Sequence, residues 1–64
     1  MIKSLEGKKH LERIKNTELN TETKFVLFGM TEMLAELKLI EHNEFIELAD
    51  MLEIPQKELE KINY

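Results

Sequence analysis

Apolar positions recur with helical spacing along most of the chain. The longest pattern is residues 22–40, ETKFVLFGMTEMLAELKLI, where Val26, Met30, Met33, Leu37 and Ile40 advance by four, three, four and three residues and so share one helix face. Leu27 and Leu34 widen that face to an ordinary core-facing stripe. Phe25, Phe28, Ala35 and Leu39 run down the other side, interrupted by Glu32. A helix with two apolar stripes needs cover on both. In so small a protein the second cover is either the N-terminal segment or another copy of the chain, and Phe25, Phe28, Ala35 and Leu39 are expected to form a face for a partner protein or a second copy.

Shorter patterns flank this helix. Asn43 is a good N-cap for a helix from Glu44 to about Leu52, with Phe45, Leu48, Ala49 and Leu52 inward. Glu44 and Glu47 suit the positive end of its dipole. Pro55, which has no amide hydrogen to donate, fits the first turn of a last helix running to about Asn63, with Leu59 and Ile62 inward. Towards the N-terminus, Ile2, Leu5, Leu11 and Ile14 give a weaker pattern broken by Gly7. Glycine costs a helix roughly 1 kcal/mol relative to alanine, so a short helix is expected over Lys8–Lys15 with a frayed start. The intervening NTELNTET, Asn16 to Thr23, reads as a connector that caps the long helix at Thr21 or Thr23. The expected fold is all-α: three short helices in a compact domain over 21–64, preceded by a basic arm over 1–20 that carries a short N-terminal helix as a fourth.

With 64 residues and no cysteine, the chain is one small domain without disulfides or thiolate metal sites. A single core of this size rarely supplies more than ~3–5 kcal/mol of net stability. Oligomerisation is the natural support, and a homodimer is expected. The longest uninterrupted apolar run is Phe25–Phe28, far too short to span a membrane. The N-terminal lysines are followed by no apolar segment of the secretory kind. A cytoplasmic protein is expected, of a size that suits a bacterial, phage or mobile-element regulator.

The net charge of −4 is unevenly spread. Residues 1–20 carry five basic and three acidic side chains, residues 21–64 four basic and ten acidic. Such a body repels phosphate backbones unless its lysines are concentrated on one face.

Candidate chemistry is sparse. Ser4 lies in the N-terminal tail, and His10 and His42 fall in different segments with no nucleophile patterned beside them. EHNE, Glu41 to Glu44, reads as a solvated turn rather than a metal site. No enzyme activity, cofactor or metal is expected. Met30, Met33 and Met51 are core fillers by default, but methionines also line adaptable grooves that accept a partner's helix.

The stretch IELADMLEIPQKELEKI, residues 46–62, resembles a helix-turn-helix DNA-binding motif. The motif wants a small residue where its two helices touch, here Ala49 after Leu48, then apolar residues around the turn and on the second helix, here Leu52, Ile54, Leu59 and Ile62. Glu53 stands where the family usually has glycine. The resemblance implies a last helix in the major groove with Gln56, Lys57 and Lys61 towards the bases, and phosphate contacts from Lys8, Lys9 and Arg13. Glu44 and Glu47 oppose it, since carboxylates on the supporting helix would repel phosphates. The expected function is a small non-enzymatic regulator acting by protein–protein interaction through an apolar helical face. The alternative is a transcriptional regulator binding DNA as a dimer.

Overall fold

The computed structural model describes residues 1–54. Three helices occupy them: α1 over Leu5–Lys15, α2 over Thr21–Glu36 and α3 over His42–Met51. The fold is a small all-α bundle, in which α2 packs against both α1 and α3. No described helix is long and apolar enough to cross a membrane. The helix expected over Pro55–Asn63 lies outside the described residues.

The start of each helix is set by local hydrogen bonding. Ser4 caps α1, its hydroxyl oxygen accepting from the Gly7 amide at 3.0 Å. Asn20, rather than Thr21 or Thr23, caps α2: its side chain accepts from the Thr23 amide at 3.0 Å, while the Thr23 hydroxyl oxygen accepts from the Asn20 amide at 2.8 Å. This reciprocal pair satisfies two donors that the first turn would otherwise leave open. Asn43 is not the cap of α3. The helix begins earlier, at His42, because Glu44 in its first turn reaches back to accept from the Glu41 amide at 2.8 Å.

Two helices end on a left-handed residue other than glycine. Lys38 adopts φ 61° and Glu53 φ 57°, both left-handed. After α2, the Lys38 amide donates to the Ala35 carbonyl at 3.0 Å and the Leu39 amide to the Leu34 carbonyl at 2.9 Å. After α3, Glu53 donates to Asp50 at 3.0 Å and Ile54 to Ala49 at 3.3 Å. These paired bonds satisfy the last carbonyls in the Schellman manner. The turn at Lys38 ends α2 four residues before the expected Ile40, since no glycine or proline marks the stop. Leu39 therefore leaves the helix it was expected to extend.

One core joins all three helices. Ile14 of α1, Leu27 and Phe28 of α2, and Phe45, Leu48 and Ala49 of α3 are buried in it, together with Ile40, Leu52 and Ile54. The Phe28 and Phe45 rings meet at 5.9 Å, tilted at 42°. The basic N-terminal segment is thus part of the bundle, because α1 inserts His10 and Ile14 into it.

Gly7 sits inside α1 instead of delaying it. A β-carbon there would lie 2.6 Å from Ser4 Oγ, 2.8 Å from Ile2 Cγ2 and 3.0 Å from Glu44 Oε2. Ser4 and Glu44 are bonded to each other and have no room to give. Gly29, in α2, has nothing within 4 Å of such a position. The two glycines should respond oppositely to alanine. Gly29→Ala is expected to stabilise the chain by up to ~1 kcal/mol through helix propensity. Gly7→Ala should destabilise it by ~1–3 kcal/mol through overpacking. Urea unfolding of both variants checks this, and a stabilising Gly7→Ala would refute the packing account.

Candidate interaction face

Three features compete for the role of functional site: a buried carboxylate, a buried histidine and the outer surface of α2. Glu44 is 2% exposed and accepts every bond its surroundings offer. Oε1 takes the Glu41 amide at 2.8 Å. Oε2 takes the Lys3 amide, the Ser4 amide and the Ser4 hydroxyl, each at 2.9 Å. Burial by itself would raise its pKa, but the donors from Glu41, Ser4 and Lys3 outweigh it and hold the carboxyl at about 2. So weak a base cannot activate the Ser4 hydroxyl it touches. The pair works as a clamp that starts α1 and α3 on one side chain. A shallow cleft of about 320 Å³ opens beside it, between Lys3 and Lys38.

His10 is fully buried between α1 and α2. Its Nδ1 lies 2.7 Å from an Arg13 nitrogen, and its Nε2 lies 2.7 Å from Thr31 Oγ1 and 3.2 Å from the Leu27 carbonyl. Arg13 can only donate, so Nδ1 accepts and the proton resides on Nε2. The Thr31 hydroxyl donates onward to the Leu27 carbonyl at 2.8 Å. Burial, and then the Arg13 charge, lower the His10 pKa below 6.5 despite the favourable Leu27 carbonyl. A second ring proton would set two donors face to face at Nδ1.

The outer surface of α2 differs from expectation. Val26, Met30, Met33 and Leu37 face solvent, at 60%, 38%, 55% and 61% exposure. Of that expected core stripe Ile40 and Leu27 are buried and Leu34 is partly so. The buried face is Leu27, Phe28 and Thr31, with Leu34 and Ala35 packed partly against it. Its spacing is a regular helical one, and Thr31 hides it: a hydroxyl at the centre breaks the apolar count. The bond between Thr31 and His10 makes that hydroxyl a core group.

The four residues expected to form the interaction face are consequently split. Phe28 is in the core and Ala35 lies half-buried against it, while Phe25 and Leu39 are exposed. They make no common surface. Val26, Met30, Met33 and Leu37 do, since at 100° per residue they fall within one narrow strip about 16 Å long. Gly29 sits on the edge of that strip, with open space before it. Among the residues expected to touch DNA, Lys8 and Lys9 are exposed on α1, and Arg13 is turned back onto His10. Gln56, Lys57 and Lys61 lie outside the described residues. Glu44 is bound inward and Glu47 takes the Met1 amino group, so the two carboxylates expected to repel a backbone are both engaged.

No protein-family model, curated protein or solved structure matches the chain.

The acid response of this arrangement has a defined sign. His10 and Glu44 both hold a proton less readily folded than unfolded, so each contributes stability that disappears as the pH falls. The His10 share begins to go below 6.5 and the Glu44 share between 4.5 and about 2. His10→Gln, whose amide offers one acceptor and one donor without titrating, should flatten the stability profile between pH 7 and 5. Glu44→Gln places an amide NH2 against backbone donors and should cost about 2–4 kcal/mol at neutral pH. Denaturation midpoints across pH 3–8 check both, and an unchanged profile in His10→Gln would remove the histidine from the account.

Proposed function

We propose that this protein is a small non-enzymatic regulator that acts by docking, with the exposed face of α2 receiving a helix of a partner protein. The observation that carries the reading is the strip of Val26, Met30, Met33 and Leu37. Solvent-facing apolar residues are ordinary when scattered. Four in register on one helix are a partner-binding pattern. Two are methionines, whose unbranched side chains repack against varied shapes. Gly29 adds to this. It weakens α2 by up to ~1 kcal/mol, and a β-carbon there would meet nothing within 4 Å outside its own helix among the described residues, which leaves that space open to what approaches from outside. A glycine on a helix surface lets another backbone come close.

Selection of helical peptides from a displayed random library tests the reading. Binders of the intact chain should carry apolar residues three and four apart, and should lose affinity at least about tenfold on Met33→Glu, with helicity unchanged by circular dichroism. Binders indifferent to Met33→Glu would place the docking surface elsewhere.

A second reading is a DNA-binding regulator of the helix-turn-helix kind. It is favoured by Glu53, which takes the left-handed conformation where that motif usually has glycine, and by the fully buried Leu48 and Ala49 ahead of it. The acidic excess of residues 21–64 weighs against it. Under this reading a labelled duplex should bind at low salt, release steeply as salt rises, and fail to bind a chain carrying Lys57→Glu and Lys61→Glu. Duplex binding that survives the two reversals would exclude the last segment as the reader.

A further inference from the structure

The docking strip has a charged border on one side, and among the described residues that border is acidic. Glu22 and Glu36 are exposed on α2, seven residues before and seven after Gly29. At 100° per residue both fall on the same side of the strip as Gly29. The two lysines of this part of the chain do not offset them there. Lys24 is held by Glu53 at 3.1 Å, and Lys38 stands beyond the end of the helix. Residues 21–54 as a whole carry eight acidic and two basic side chains.

We propose that the partner is a cationic amphipathic helix: an apolar stripe of about three turns, bordered on one side by lysine or arginine. The inference rests on the docking role of α2 and names the chemistry of what docks. Sign favours such a helix over the obvious competitor, a second copy of the chain. Crossing two α2 helices antiparallel along the strip sets Glu22 of one against Glu36 of the other, while a parallel crossing puts the two copies of each glutamate on opposite sides of the seam, where no basic residue of α2 meets them. Like charges face each other in the antiparallel arrangement, and in the parallel one the glutamates gain no ion pair. A helix with basic flanks turns the same two positions into ion pairs around an apolar centre, the arrangement that fixes partner and register in helix pairs. Lysine and arginine stems also lie along apolar surface while their charges reach the rim, which lets a cationic helix cover Val26 and Met33 more fully than an uncharged one.

Three synthetic amphipathic peptides of 18 residues test this. They share one leucine stripe and differ only in flanking residues, which are lysine, glutamine or glutamate. Each is titrated by fluorescence anisotropy into the full chain at low and at physiological ionic strength. The lysine peptide should bind at least about tenfold more tightly than the glutamine peptide, and the glutamate peptide should not bind. Glu22→Lys with Glu36→Lys should reverse the order of the lysine and glutamate peptides. Met33→Glu separates docking from plain charge attraction, because it adds a negative charge to an acidic surface. It should still weaken the lysine peptide about tenfold or more, and unchanged or tighter binding would overturn the proposal. Equal binding of lysine and glutamine peptides, both lost on Met33→Glu, would leave the docking face standing and refute the charge requirement. Sedimentation as a dimer that Met33→Glu dissociates would make a second copy the occupant, and the inference would fall.

Discussion

The fold depends on one carboxylate. Glu44 accepts the backbone of Lys3 and Ser4 with one oxygen and the backbone of Glu41 with the other, so the starts of α1 and α3 converge on a single side chain. A helix start leaves amide donors without partners, and a buried start cannot borrow them from water. Supplying both from one ionised group removes that penalty where two helices meet. It also explains neighbours that otherwise look like poor choices. Gly7 is required because a side chain would occupy the clamp, and Ser4 is required because its hydroxyl both donates to Glu44 and caps its own helix.

The clamp decides which face of α2 is inside. Once α1 is anchored at its start, His10 reaches the middle of α2 and bonds Thr31, and Ile14 packs beyond it. The side of α2 bearing Leu27, Phe28 and Thr31 becomes the interior. The opposite side, with its more regular apolar spacing, is left in solvent. An α2 that is apolar on nearly every side has little preference of its own, so the polar contacts of α1 tip the choice. The buried polar groups here add specificity beyond stability: a helix rotated to bury Val26 and Met33 would strand His10 and Thr31 without partners.

The proposed docking role builds on that choice. Among the described residues the buried polar groups are spent on internal clamps: Ser4 is bonded to Glu44, and the His10 ring is engaged on both nitrogens. What the bundle presents outward is a rigid helix with an adaptable apolar strip and an acidic border. Under the proposed docking role such a surface receives another helix, and the sign of the border narrows which helix.

The apolar periodicity alone was enough to show an all-α chain, the approximate places of α2 and α3, and Phe45, Leu48, Ala49 and Leu52 as the inner face of α3. Those are readable because they depend on residues within a turn or two of each other. The left-handed turn at Lys38 was invisible, since a lysine carries no signal for it. The clamp was invisible too, because Ser4 and Glu44 are forty residues apart and each looks like an ordinary helix-start residue. The buried face of α2 was misread for the same reason. Periodicity ranks stripes by apolar content, and the stripe that is buried contains a threonine whose bonding partner is a histidine on another helix. Local spacing determines that a helix forms and which faces it could bury. Which face it does bury is decided by long-range polar partners, and those exist only once the chain has folded.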